Sequence, residues 1–276
     1  MAVTTSQQIT RYYEQFRNID VTFTKEVIRA TLLYPKQVFL KSLGYQWPCI
    51  VYSSSMVGAK IIVNMGTSLR EAIRKANNVV SLRFSFLQKD KADPLSFFVS
   101  AKITGATPYG SQKPDLHFLT LAYTQRPPDD LIEVLGKLLD AHAASKRRKE
   151  QRIPVTADSA RKIGINAKNI FVYIEGVPRR CIIRDLSFGG AKLIILGVAK
   201  FLVNKSATLR VQVTEDESYI DIEGTVIRFE AVEGRNDIAA IAVKFHEETL
   251  PVTYKMLLSA YLRGSKIKNP EQSAES

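Results

Sequence analysis

Apolar and polar residues alternate over short stretches for much of this chain. Ile220 and Ile222 stand against Asp221 and Glu223, the period of two that marks a half-buried strand. Runs at 97–104, 117–123, 219–229 and 238–245 are rich in β-branched and aromatic residues, with turn residues between them. Several short strands in series predict small antiparallel barrels. Helical spacing occurs in four places. Ile9, Tyr12, Tyr13 and Phe16 fall at i, i+3, i+4 and i+7, an amphipathic helix near the N-terminus. Ser68-Leu-Arg-Glu71 reads as a capping box opening a short helix through Lys75. Pro127-Pro128-Asp129-Asp130 opens a third, because proline fits a first turn and aspartates suit the positive helix end. Its stripe is Leu131, Leu135 and Leu138, and it runs into the cations at 146–149. A last helix is predicted from Val252 to Leu262, stopped by Gly264, with residues 265–276 a disordered tail.

Laid against itself, the chain repeats. The segment from Cys49 to Val63 aligns without a gap on Cys181 to Ile195, and seven of fifteen positions are identical. Chance would give about one, so a duplication is the better account. The strands around Leu82-Arg83-Phe84 and Leu209-Arg210-Val211 correspond, as do the later runs, and each copy ends in a helix preceded by proline. The predicted fold is mainly β with flanking helices: two tandem small antiparallel β-barrels, each followed by a helix. The first domain covers 1–140, a basic linker 141–152 and the second domain 153–264.

Composition narrows the function. A length of 276 residues suits two ordinary domains, and 45% apolar residues suffice for packed cores. No apolar run approaches the roughly 18–20 residues that span a bilayer. The first eight residues lack a signal pattern, so a cytoplasmic location is expected. Cys49 and Cys181 hold the same place in the two copies, which predicts buried strand residues in separate cores rather than a disulfide. His117, His142 and His246 are scattered and no CxxC is present, so no metal site is expected. The net charge of +12 favours an anionic partner without choosing among nucleotide, nucleic acid and membrane. Its concentration is more telling: Lys146, Arg147, Arg148, Lys149 and Arg152 crowd together with only Glu150 opposing them.

Arg148 and Arg152 form an RxxxR motif, followed some thirty residues later by Asp185, Ser187 and Gly190 as DxSxxG. Alone, the first is a solvated last turn of helix and the second a hairpin turn. In this order, inside a barrel pattern, they resemble the PilZ family, the bacterial receptor module for cyclic di-GMP, over about 146 to 262. The resemblance implies that Arg148 and Arg152 hold the ligand, and that Arg147 just ahead helps decide between one ligand and a stacked pair. It implies no cofactor beyond the ligand itself. It further implies a signalling role, in motility for example, with a downstream protein partner the sequence does not name.

The residue chemistry agrees with that expectation. A guanidinium fork bonds phosphate or a guanine O6/N7 edge in two places and also stacks on bases. An ionised Asp185 is an acceptor-only group suited to the guanine N1/N2 edge. Ser187, two residues on, is expected on the same strand face, while Gly189 and Gly190 leave room for ligand or a returning strand. The first copy has Ser53 in place of Asp185, and Phe16 and Asp20 in place of the two arginines. It reads as a degenerate PilZ-like domain that does not bind the nucleotide. Ligand is expected to fold a mobile linker over itself and fix the angle between domains in a monomeric receptor. No Ser-His-Asp order or phosphate-binding glycine loop is present, so an enzyme is not expected. The competing reading is a basic nucleic-acid-binding protein using barrel aromatics as stacking platforms, although no standard motif for it occurs.

Overall fold

The computed structural model describes residues 4–88, 91–110, 115–197, 200–232 and 234–268, in two compact units, Met1–Leu139 and Asp140–Ser276. The first contains α1 (Ser6–Phe16), β1 (Val21–Thr22), α2 (Lys25–Thr31), β2 (Phe39–Ser42), β3 (Tyr45–Ser54), β4 (Gly58–Asn64), α3 (Thr67–Lys75), β5 (Val79–Phe86), β6 (Leu95–Pro108) and β7 (Leu116–Tyr123). Helix α4 (Asp129–Arg147) runs across the division. The second contains β8 (Ile153–Pro154), α5 (Ala157–Ile163), β9 (Ile165–Ile174), β10 (Val177–Leu186), β11 (Gly190–Leu196), β12 (Ser206–Val213), β13 (Tyr219–Val232), β14 (Arg235–Phe245) and α6 (Val252–Lys268).

Both sheets close into six-stranded antiparallel barrels, as the alternation predicted. In the first, β3, β2, β5, β6, β7 and β4 follow one another, and β4 pairs back onto β3. In the second, β10, β9, β12, β13, β14 and β11 do the same. A two-residue strand, β1 or β8, adds to the end of β3 or β10. The duplication is exact in the backbone over this part: β1 and β8, α2 and α5, β3 and β10, and β4 and β11 begin and end 132 residues apart. Inward positions carry the cores, with Leu40, Ile61, Leu82 and Phe84 fully buried in one barrel and Val172, Leu193, Leu209 and Ile222 in the other. α1 is held by a Thr5 capping box and buries Ile9, Tyr12 and Phe16. The Tyr12 ring lies so close to α4 that a side chain at Gly136 would begin 2.4 Å from it, which is why a glycine sits inside that helix.

Several local expectations are corrected. α2 and α5 were not foreseen; each has seven residues, too few for a visible period, between a threonine N-cap (Thr24, Thr156) and a left-handed C-cap (Leu32, Gly164). α3 is capped by Gly66 rather than Ser68, whose hydroxyl sits inside the helix and accepts from Trp47 Nε1 at 3.3 Å. α6 passes through Gly264 to Lys268, since one interior glycine costs only about 1 kcal/mol and does not stop a packed helix. Residues 265–268 of the expected tail are therefore helical, and 269–276 lie outside the described residues. Residues 141–147, the first part of the segment drawn as a linker, continue α4, in agreement with the expectation that this helix runs into the cations at 146–149. Among the described residues no helix is long and apolar enough to cross a membrane.

Cys49 on β3 and Cys181 on β10 are buried, one in each barrel. Burial pushes both thiols up to about 12. Folded protein at pH 8 is therefore expected to react with a thiol reagent at a small fraction of the rate seen in denaturant, with both cysteines labelled once it unfolds.

Candidate ligand-binding site

Strand β10 sends Cys181 and Ile183 into the barrel, and strict alternation would send Asp185 after them. A β-bulge prevents this. The register with β11 shifts between Ile183 and Asp185, so Arg184 becomes the extra, exposed residue and Leu186 takes the next inward place. The Asp185 side chain is left on the barrel wall, 21% exposed. Unpaired inside the core, the same carboxylate would cost several kcal/mol or lose its charge. β8 then pairs with the end of β10, Pro154 opposite Asp185 and Ile153 opposite Leu186. That pairing brings the preceding residue, Arg152, to Asp185, with Nη1 2.5 Å from Oδ1.

The basic segment that leads there, expected as a linker, makes several contacts along its way. Arg148 closes the last turn of α4 by donating its backbone N–H to Ala144, and Gln151 donates back to Arg148. Lys149 Nζ bonds Glu247 Oε2 at 2.7 Å, a hydrogen bond that raises the lysine pKa and lowers that of the glutamate. The Lys149 carbonyl accepts from Gly189 N–H at 3.0 Å. A side chain at Gly189 would begin 3.1 Å from that carbonyl and from Lys149 Cγ, so the glycine lets the segment lie on the turn.

Ser187 and Gly190 are placed differently from the expectation. Ser187 lies past the end of β10 and is 1% exposed, so it does not share a strand face with Asp185. Its hydroxyl accepts from the N–H groups of Gly189 and Gly190 at 3.2 and 3.1 Å, closing the turn from within. A side chain at Gly190 would begin 2.4 Å from the Val243 carbonyl, so the close approach there is made by returning strand β14. Arg147, Arg148, Arg152 and Asp185 are the predicted site residues whose side chains remain at least partly open to solvent, while Ser187, Gly189 and Gly190 shape the turn beneath them.

Three partners had no sequence signal, because they come from distant positions. Tyr254 of α6, fully buried, donates its hydroxyl to the Ser187 carbonyl at 2.8 Å and supports the turn from the core. Asp140 of α4 accepts from Arg263 of α6 at 2.7 Å, and its other oxygen lies 3.8 Å from the Arg147 guanidinium. Arg147 is thus drawn toward Asp140, although its side chain is 64% exposed. Arg148 is half-buried, and nothing among the described residues pairs with its guanidinium.

The first barrel repeats the scaffold without this chemistry. It has the same bulge, between Val51 and Ser53, and the same turn, with Val57 N–H donating to Ser55 Oγ at 3.2 Å. Ser53 stands where Asp185 does, Asp20 where Arg152 does, and Phe16 is buried in the core at the place of Arg148. The contrast separates scaffold from site residues and gives a stability prediction. Ser187→Ala, which strips the buried Gly190 N–H of its acceptor and leaves the Gly189 N–H only the Lys149 carbonyl, should destabilise the second barrel by roughly 1–3 kcal/mol. Arg152→Ala, which removes an exposed ion pair, should change stability by less than about 1 kcal/mol. Urea denaturation of both variants checks this difference.

Comparison with known proteins identifies the family. A family model described as the PilZN3 domain matches residues 7–142, and one described as the PilZ domain matches residues 146–264. A protein from Treponema denticola named "Cyclic di-GMP binding protein" is 46% identical over 270 residues, 98% of this chain and 85% of its own length. The crystal structure of Borreliella burgdorferi PlzA in complex with c-di-GMP is 27% identical, covering 93% of this chain and 98% of that one, with a TM-score of 0.42. YcgR from Escherichia coli in complex with c-di-GMP is 13% identical, covering 94% and 97%, with a TM-score of 0.30. The chain belongs to the PilZ family, with a PilZN3 domain in its first half and a PilZ domain in its second.

Proposed function

We propose that this chain is a receptor for cyclic di-GMP, held on the second barrel by Arg148, Arg152 and Asp185. The observation that carries the reading is the pair of arginines at one turn: Arg152 set against an outward carboxylate, and Arg148 without a partner among the described residues. The Treponema relative named for binding the same nucleotide supports it. An exposed ion pair such as Arg152–Asp185 is worth only about 0–1 kcal/mol. A charge-assisted hydrogen bond to phosphate or guanine returns roughly 1.5–3 kcal/mol, so ligand can open the pair at a gain. Arg152 then turns to phosphate or base, and Asp185 accepts from the guanine N1/N2 edge. Ser187, Gly189 and Gly190 act indirectly by fixing the turn that holds both. Arg147 can join once it leaves Asp140 to Arg263. The proposed role is binding without turnover, in the cytoplasm. Basic residues concentrated in one short segment suit a compact dianion better than a long nucleic-acid track.

Isothermal titration should show Arg148→Ala, Arg152→Ala and Asp185→Ala each lowering cyclic di-GMP affinity at least tenfold with the thermal transition preserved. Unchanged affinity in all three contradicts the assignment.

Helix α4 leads from the first unit into residues 148–152, so a ligand that rearranges this segment acts at the end of that helix. Through it we place the regulatory output in a reorientation of the two domains, read by a downstream partner. Small-angle scattering should differ between ligand-free and saturated protein; superimposable curves would remove the reorientation while leaving the binding site intact.

A further inference from the structure

Because the two barrels share a register, their surfaces can be compared residue by residue, and one end of the first has changed character. The β2–β3 hairpin turns through Leu43 and Gly44, with φ of 48° and 84°; the β9–β10 hairpin turns through Glu175 and Gly176, with φ of 52° and 80°. Trp47 replaces Arg179, and Tyr45 replaces Val177. On the neighbouring strands Val79 replaces Ser206, and Phe98, opposite Arg83, replaces Asp221, opposite Arg210. In the second barrel this end is closed by charge: Arg210 grips Asp221 through two 2.6 Å bonds, and Lys205 faces Glu175. In the first, Arg83 keeps its place but its carboxylate has become an aromatic ring.

The new apolar groups are not buried by the chain itself. Leu43 is 54% exposed, Tyr45 70%, Val79 50% and Phe98 47%. Leucine is also a poor choice for this turn, because a left-handed first position favours Asn, Asp or Gly. It accepts the strain while more than half of its surface stays exposed. Two clefts flank the hairpin, of about 460 and 380 Å³, sharing Leu43 as the ridge between them. Lys41 lines the first beside Phe98, its Nζ 5.2 Å from the ring centroid. Lys75 lines the second with Trp47 and Tyr45, next to exposed Arg74, with Glu71 the acidic residue of that lining. Apolar floors with Lys41 at one rim, and Lys75 with neighbouring Arg74 against Glu71 at the other, suit a partner that brings side-chain anchors together with carboxylates. Two separate clefts on either side of Leu43 favour a protein segment with spaced side-chain anchors over a continuous lipid surface.

We infer that this end of the first barrel is a docking surface for an acidic amphipathic segment of a partner protein, whose apolar side chains fill the clefts beside Leu43 and whose carboxylates meet Lys41 and Lys75. The site lies on the PilZN3 half and does not depend on the nucleotide assignment.

A displayed library of roughly 16-residue peptides, about four helical turns, tests it by selection on the full chain against a Leu43→Glu/Phe98→Asp variant. Both substitutions copy residues the second barrel already carries at these positions, and the second gives Arg83 a carboxylate, so the variant is expected to melt like the wild type. Enriched peptides should carry Asp and Glu with apolar residues at i, i+3 and i+4. They should shift the emission of Trp47, the sole tryptophan, to the blue, and bind the variant at least tenfold more weakly. The inference is overturned if no peptide is enriched over the variant, or if the enriched peptides are basic. It is equally overturned if phosphatidylglycerol vesicles shift Trp47 and no peptide does, which would make the surface lipid-binding.

Discussion

A carboxylate cannot sit unpaired inside a small barrel, and the candidate site on this protein can form because one extra residue keeps Asp185 out. Arg184 breaks the alternation of β10, so Asp185 stays on the wall instead of following Ile183 inward. The strand pair β8–β10 then brings Arg152 to it, and the Ser187 turn fixes the level at which the basic segment crosses. Remove the bulge and the same residues would form an unstable core. The chemistry of the site is therefore a consequence of strand register before it is one of charge.

The duplication isolates what the scaffold does from what the site does. Both copies keep the bulge, the hydroxyl-closed turn and a glycine pressed against a carbonyl of the returning strand. These features hold a barrel closed whether or not anything binds. The second copy adds arginines and a carboxylate at the outer wall; the first substitutes Phe16, Asp20 and Ser53, and places its surface apolar residues around a different hairpin. One backbone has thus been given two unlike surfaces, one carrying arginines and a carboxylate, the other exposed apolar side chains flanked by Lys41 and Lys75.

Much of this was legible in the sequence, for identifiable reasons. Period-two alternation is a direct consequence of pleating, so the barrel strands were readable, and a gapless fifteen-residue match exposed the repeat. Arg147, Arg148, Arg152 and Asp185 carry chemistry that alternation does not require, and so stood out. The bulge did not: Cys181, Ile182, Ile183 and Leu186 form an apolar run that fits either phase, which led Ser187 to be assigned to the face of Asp185. Short helices α2 and α5 were missed because seven residues hold less than two full periods. Gly264 was overread as a stop, since the packing of Leu258 and Leu262 outweighs the preference of one glycine. The contacts of Asp140 with Arg263 and of Tyr254 with Ser187 join positions 123 and 67 residues apart, and no local pattern encodes them.

The central claim is that the wall of the second barrel recognises a guanine-containing cyclic dianion. Its most direct test is a calorimetric titration of the full chain with cyclic di-GMP alongside GMP and cyclic AMP. The account predicts a saturating heat at micromolar cyclic di-GMP and none with the two mononucleotides. No heat with cyclic di-GMP, or equal heats with all three, would contradict it.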